Sequence, residues 1–88
     1  PDQFALKQNY PNPFNPSTNI PFKLAEAGKV TLNIYSIVGQ KVETLISKKM
    51  SAGSHSVTFN ASDLSSGVYL YSLKFNGENK TNKMMLVK

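Results

Sequence analysis

Residues 66–75 read SGVYLYSLKF, the one stretch of the chain that is apolar on both faces over part of its length. Side chains alternate between the two faces of a strand, so Val68 and Leu70 share one face. The other face carries four aromatic or aliphatic side chains, Tyr69, Tyr71, Leu73 and Phe75. Because most antiparallel strands expose one face to water, two apolar faces predict a central strand.

The dipeptide Asn76-Gly77 after this strand predicts a tight hairpin. Asn-Gly readily places two consecutive residues at positive φ, which a two-residue type I′ turn requires. The turn sets the register of the returning strand through these pairs: Leu73 with Lys80, Tyr71 with Asn82, Tyr69 with Met84 and Val68 with Met85. Both faces at the base of this hairpin are apolar, so we expect other segments to cover each of them.

Residues 9–18, NYPNPFNPST, contain three prolines and therefore predict neither a helix nor an interior strand. Each proline also biases the residue before it toward extended geometry, so the segment is predicted to be a stiff, extended lead-in. Tyr10 and Phe14 are spaced as apolar anchors, and we expect them to cover the outer face around Met85 and Val87. The alternative is an interdomain linker whose aromatic residues are incidental.

Four further alternating stretches, at 19–24, 29–35, 40–47 and 54–60, predict the remaining strands. Pro21 lacks a ladder donor and predicts an edge strand, and the consecutive Leu45 and Ile46 predict a bulge or an early strand end. About seven short strands without a helical period predict an all-β fold, an antiparallel immunoglobulin-like β-sandwich. Residues 1–8 are interpreted as the end of a linker, and residues 9–88 as one domain.

The composition excludes several classes of protein. The 88 residues suffice for one domain, and the lack of cysteine rules out disulfides and thiolate metal sites. The net charge of +5 comes from ten lysines and five acids, with no arginine to supply the bidentate fork used in nucleic-acid readout. We therefore expect a basic, solubilising surface, no nucleic-acid partner and no membrane insertion of the domain's own.

Residues suited to catalysis are few. His55 is the only histidine, and its position in an alternating stretch is typical of a partly buried sheet residue. The five acids are spread along the chain without the spacing of a carboxylate pair or of a calcium loop. No nucleophile elbow or phosphate-binding glycine loop occurs in the sequence. We expect a protein that is not an enzyme and that holds no metal or cofactor.

Five motifs occur in order along the chain: NYPNPFNPST at 9–18, VTLNIYSIVGQKV at 30–42, AGSH at 52–55, LSSGVYLY at 64–71 and KMMLVK at 83–88. Together they resemble the C-terminal sorting domain of the type IX secretion system, type A, over nearly the whole chain. Within them, Gly67-Val68-Tyr69 resembles the tyrosine corner of immunoglobulin-like domains, and Tyr71 stands where antibody domains carry a cysteine.

This resemblance implies a signal that carries an N-terminal cargo from the periplasm across the outer membrane, to the cell surface or into the medium. The implied partners are the outer-membrane and sortase-like components of the type IX system. The family's recurrent positions fall here on Asn12, Pro13, Gly67, Tyr69, Lys83 and Lys88. A last strand with a free edge would also offer its backbone to a receptor by strand addition.

Two other functions fit a small β-sandwich. One is an accessory module that binds carbohydrate beside a secreted enzyme, for which Tyr35 and Tyr71 are the aromatic platforms that the sequence offers. The other is a passive spacer, which would make sorting indifferent to the identity of the domain.

Overall fold

Seven strands make up the regular structure of residues 4–88, the part of the chain that the computed structural model describes. They are β1 (Ala5–Leu6), β2 (Ser17–Leu24), β3 (Gly28–Ser36), β4 (Lys41–Met50), β5 (Gly53–Asn60), β6 (Gly67–Phe75) and β7 (Glu78–Leu86). The first three residues of the predicted linker end lie outside the described range. Within that range no helix is long and apolar enough to cross a membrane.

The strands form two antiparallel sheets that face each other. One has the order β4-β3-β6-β7 and the other the order β1-β2-β5. Alternate residues of the strands point inward and form a single core, which includes Val30, Leu32 and Ile34 from β3 and Ile20, Phe22 and Leu24 from β2. The predicted antiparallel β-sandwich of about seven strands is confirmed.

Strand β6 lies inside the four-stranded sheet, as the two apolar faces of residues 66–75 predict. It pairs with β3 on one side and with β7 on the other. The register with β7 is the predicted one, from Phe75 opposite Glu78 to Val68 opposite Met85. Asn76 and Gly77 have φ angles of 51° and 78°, which confirms the type I′ geometry of the turn.

Strand β2 is not an edge strand, contrary to the prediction from Pro21. It lies between β5 and the two-residue strand β1. Pro21 is tolerated because its missing N–H falls where the ladder with β1 ends. The carbonyl of Pro21 still accepts a bond from the N–H of Lys7, and the carbonyl of Lys7 accepts the hydroxyl of Tyr71 instead of a proline N–H.

Of the two alternatives predicted for it, a bulge or an early end, strand β4 shows the bulge. Its register with β3 shifts between Leu32 and Asn33, which leaves Leu45 without an opposite residue, and shifts again before Tyr35. The strand then continues to Met50, because β3 offers partners as far as Gly28. The bulge therefore accommodates two consecutive apolar residues without ending the pairing.

The proline segment, residues 9–16, runs in the plane of the four-stranded sheet and not over its outer face. The N–H of Phe14 donates to the carbonyl of Met85, and the N–H of Val87 donates to the carbonyl of Phe14. Phe14 therefore shares the inward face of Leu86 and packs in the core, 6.2 Å from the ring of Phe59.

The expected cover of the outer face by aromatic residues is wrong. Tyr10 is 77% exposed, and Met85 and Val87 remain 44% and 49% exposed. Phe4 and Leu6 pack against the core from the other end of the N-terminal segment. The hydrogen bonds of Phe14 explain the difference, since they fix this residue at the sheet edge, where its side chain can point only toward the core or away from it.

Candidate functional site

Three of the six family positions, Gly67, Tyr69 and Lys83, lie at the base of the β6–β7 hairpin. The hairpin base comprises residues 67–70 of β6 and residues 83–86 of β7. Gly67 pairs with Leu86, Tyr69 pairs with Met84, and Leu70 pairs with Lys83. Lys88 lies two residues after the last rung, which joins Gly67 and Leu86. The structure thus brings together residues that are 13 to 19 positions apart in sequence, as the Asn-Gly turn predicts.

Tyr69 forms the tyrosine corner that the Gly-Val-Tyr triplet predicts. Its hydroxyl donates to the carbonyl of Ser65 at 2.8 Å, four residues upstream. Gly67, two residues before it, has a φ of 153°, a conformation that favours glycine. These two residues fix the path by which the crossover from β5 enters β6, which makes their first role a structural one.

Lys88 is held against that crossover. Its N–H donates to the hydroxyl of Ser66 at 3.0 Å, and its ammonium group donates to the carbonyl of Ser62 at 2.6 Å. The side chain is still exposed. Lys83 is exposed as well and points to the outer face of the sheet, opposite Leu70. The two terminal lysines therefore present positive charge on both sides of the hairpin base.

Asn12 belongs to the same surface, although it is more than fifty residues away in sequence. Its side-chain oxygen accepts the N–H of Met85 at 3.0 Å, and the next residue, Pro13, is exposed. The family motif around these two residues thus anchors the proline segment to β7. Two further residues also attach this segment to β7. The side chain of Gln8 donates to the carbonyl of Lys83, and the backbone of Phe14 bonds on either side of Leu86.

The edge of β7 is consequently not free along residues 83–87. The carbonyls of Lys83 and Met85 and the N–H groups of Met85 and Val87 all have partners in the N-terminal segment. Strand addition at this part of the last strand would require the proline segment to leave. With the proline segment in place, the hairpin base exposes side chains and not the backbone of β7.

A buried polar network behind the proline segment was not predicted. The side-chain amide of Asn9 donates to the hydroxyl of Thr18, and that hydroxyl donates to the carbonyl of Pro11. The N–H of Asn9 donates to the hydroxyl of Tyr71 at 2.8 Å. Burial raises the pKa of Tyr71, while hydrogen bonds from Asn82 and Asn9 act in the opposite direction. No local pattern marks this network, since Thr18 lies nine residues after Asn9 and Tyr71 sixty-two.

A shallow groove of about 310 Å³ opens on the outer side of the hairpin base. Its lining combines two family positions with apolar neighbours: Asn12, Ile37, Val68, Lys83, Met84 and Met85. Ile37 comes from the exposed turn between β3 and β4, which sequence reasoning did not connect with this site. The groove is therefore built from three parts of the chain, the proline segment, the β3–β4 turn and the hairpin.

The residues suited to catalysis do not converge. His55 faces the core side of β5, stacks on Phe22 with ring centres 5.4 Å apart, and bonds through Nε2 to the carbonyl of Ser51. This confirms its prediction as a partly buried sheet residue. Among residues 4–88, no cluster of histidine and acidic side chains is suited to hold a metal ion.

A comparison with family models decides the identity of the chain. The model for the secretion system C-terminal sorting domain matches residues 8–88. The chain belongs to this family. The sorting domain is a C-terminal signal of the type IX secretion system, which directs export to the cell surface or out of the cell. No curated protein matches the sequence.

Proposed function

We propose that the type IX machinery recognises this sorting domain at the hairpin base, through side chains on the family positions. Asn12, Pro13, Gly67 and Tyr69 shape the surface, whereas Lys83 and Lys88 contact the partner. The partners are outer-membrane and sortase-like components, which meet the domain after it has folded in the periplasm. The N-terminal cargo is carried along passively, and the domain itself performs no catalysis.

The convergence of the family positions is the observation that supports this proposal. Residues from the proline segment, β6 and the chain's last residues meet within the first rungs of one hairpin. A structural requirement accounts for the glycine and the tyrosine and, through its bond to Ser62, for part of the role of Lys88. It gives no reason for the exposed lysine at position 83. Exposed charged side chains beside residues that fix the local structure are typical of a binding surface.

No observation favours the carbohydrate-binding alternative. Tyr71, one of its two aromatic platforms, is fully buried in the core. Tyr35, the other, lies half-buried on the outer face, where its hydroxyl accepts a bond from Asn33. A single partly covered ring offers little stacking surface to a sugar, so sorting is the function that the surface supports best.

A pair of lysine substitutions tests the proposal. The whole chain is fused behind a fluorescent reporter with an export signal, in a host with an intact type IX system, and the exported fraction is measured. Lys83→Ala with Lys88→Ala should lower that fraction about tenfold, the change that a loss of 1.4 kcal/mol in binding produces.

The matched control replaces Lys7 and Lys48, two exposed lysines away from the hairpin base, with alanine. It makes the same change in net charge and should leave export within about twofold, since surface substitutions away from special features have small effects. Thermal melts of the purified variants check that both remain folded. Equal export by the two pairs would contradict recognition at the hairpin base.

A further inference from the structure

The outward face of the four-stranded sheet carries five lysines. By register, Lys29 pairs with Lys49, Lys41 with Tyr35, Lys74 with Thr31, and Lys83 with Leu70. All four of these rungs lie on the side away from Val30, Leu32 and Ile34, which are buried. We call this surface, with its five exposed lysines Lys29, Lys41, Lys49, Lys74 and Lys83, the lysine face.

The lysine face carries no acidic residue from the described part of the chain. Glu43 and Glu78 are in register with the buried Ile34 and Phe75, and so belong to the opposite side of the sheet. Glu26 and Asp63 lie outside the strands. The five lysines are spread over four neighbouring strands, so every charged side chain that the register places on this face is positive.

Apolar side chains lie at one end of this positive surface. Met85 and Val87 are about half exposed, and Ile37 beside them is exposed too. The groove that Val68 and Met85 line is concave and includes Lys83 in its wall. One face of the sheet therefore combines an apolar depression at the hairpin base with positive charge extending from it over β3 and β4.

We infer that the lysine face docks on a protein partner whose surface is acidic and carries a protruding apolar side chain that enters the groove. This inference rests on the proposed function and extends its contact surface beyond the family positions, to Lys41 and Lys74. Charge complementarity selects the sign of the partner. The concave shape of the groove selects a protein over a flat layer of lipid headgroups.

A second copy of the chain is a poor occupant of the same face. In a symmetric dimer the same patch meets itself, so five lysines would face five lysines across the interface. Juxtaposed like charges cost several kcal/mol and suppress such pairings. The three-stranded sheet is a weaker candidate for the docking surface, because its outward rungs pair small polar residues such as Asn19 with Thr58 and Ser17 with Asn60.

The test reverses two charges that are not family positions. Lys41→Glu with Lys74→Glu lowers the formal net charge from +5 to +1, and Lys7→Glu with Lys48→Glu makes the same change away from the face. Export of the reporter fusion is measured for both pairs and for Lys41→Gln with Lys74→Gln. We expect a loss of about tenfold or more for the first pair, an intermediate loss for the glutamine pair, and a change within about twofold for the control.

Graded losses confined to the lysine face support the inference. Export of the unaltered fusion together with equal export of both glutamate pairs overturns the inference and leaves the proposed function standing. Failure of the unaltered fusion to leave the cell overturns both. Binding of the purified domain to phosphatidylglycerol vesicles, lost in the Lys41 and Lys74 variant, would assign the face to a lipid surface and overturn the protein partner.

Discussion

Tyr71 joins the two sheets through a single hydroxyl group. The ring belongs to β6 and is fully buried, and the hydroxyl donates to the carbonyl of Lys7 at 2.8 Å while it accepts the N–H of Asn9. Antibody domains carry a disulfide cysteine two residues after the tyrosine of their corner, and Tyr71 stands at that distance from Tyr69. In this chain the hydroxyl makes a polar link to the N-terminal segment, which a cysteine-free domain can form in any redox environment.

Replacement of Tyr71 with phenylalanine should destabilise the domain by about 2 kcal/mol, because it leaves the buried N–H of Asn9 without its acceptor. Urea unfolding at pH 7 measures the change. Tyr10→Phe is the matched control, since Tyr10 is exposed and loses no buried partner. Equal free energies of unfolding for the two variants would refute the link.

Because the hydroxyl of Tyr71 is buried, we also expect the domain to lose stability at alkaline pH. Burial raises the pKa of Tyr71 in the folded state, so above about pH 10 the unfolded chain gives up this proton more readily. The stabilisation is complete below the unfolded pKa and disappears as the pH rises through the folded one. Between pH 9 and pH 11 the free energy of unfolding should therefore fall less in Tyr71→Phe than in the unaltered chain or in Tyr10→Phe. An equal fall in the free energy of unfolding in all three proteins would contradict this prediction.

The proline segment acts as a structural element although it is neither helix nor strand. The backbone of Tyr10 bonds to that of Asn19 in β2. The backbone of Phe14 bonds to Met85 and Val87, on either side of Leu86 at the end of β7. Prolines suit this position because the segment bends between its two bridges, where a proline leaves no backbone N–H without a partner. It connects both sheets and protects the end of β7 from pairing with another chain.

Two substitutions test which aromatic side chain of this segment contributes to the stability of the domain. Phe14→Ala should destabilise the domain by about 3 to 5 kcal/mol, the range for a buried phenylalanine. Tyr10→Ala should change stability by less than about 0.5 kcal/mol, as expected for an exposed side chain. Thermal or urea unfolding measures both, and similar effects at the two positions would show that the segment packs in another way.

The strands and turns were predictable from the sequence where the residues that determine them are adjacent in the chain. Alternation of apolar residues located β3, β5 and β6, and Asn76-Gly77 fixed the register of the last hairpin because the turn type allows one pairing. Pro21 and Phe14 were misjudged for a common reason, since each depends on a partner distant in sequence. The ladder beside Pro21 ends at Lys7, and the side chain of Phe14 is directed by bonds to β7.

The candidate site was likewise predictable only in part. The family motifs suggested its residues, and the hairpin register predicted that Tyr69 and Lys83 would be close. The sequence did not reveal that Asn12 binds Met85 or that Ile37 completes the groove. Such contacts depend on how the proline segment and the β3–β4 turn pack, and no periodicity or spacing in the sequence specifies that packing.

At the scale of the whole molecule, the two outer surfaces of the sandwich differ. The three-stranded sheet presents mainly small polar residues, whereas the four-stranded sheet presents the lysine face and the groove at the hairpin base. The core, built from both sheets, and the proline segment hold the fold. The outer face of the four-stranded sheet is the one for which we propose a partner.

The most direct measurement is the location of a fluorescent reporter fused ahead of residues 1–88 and carrying an export signal, in one host with an intact type IX system and in another without it. The account predicts that the reporter reaches the cell surface or the medium only in the intact host and stays in the periplasm of the other. Retention in the periplasm of both hosts would contradict it.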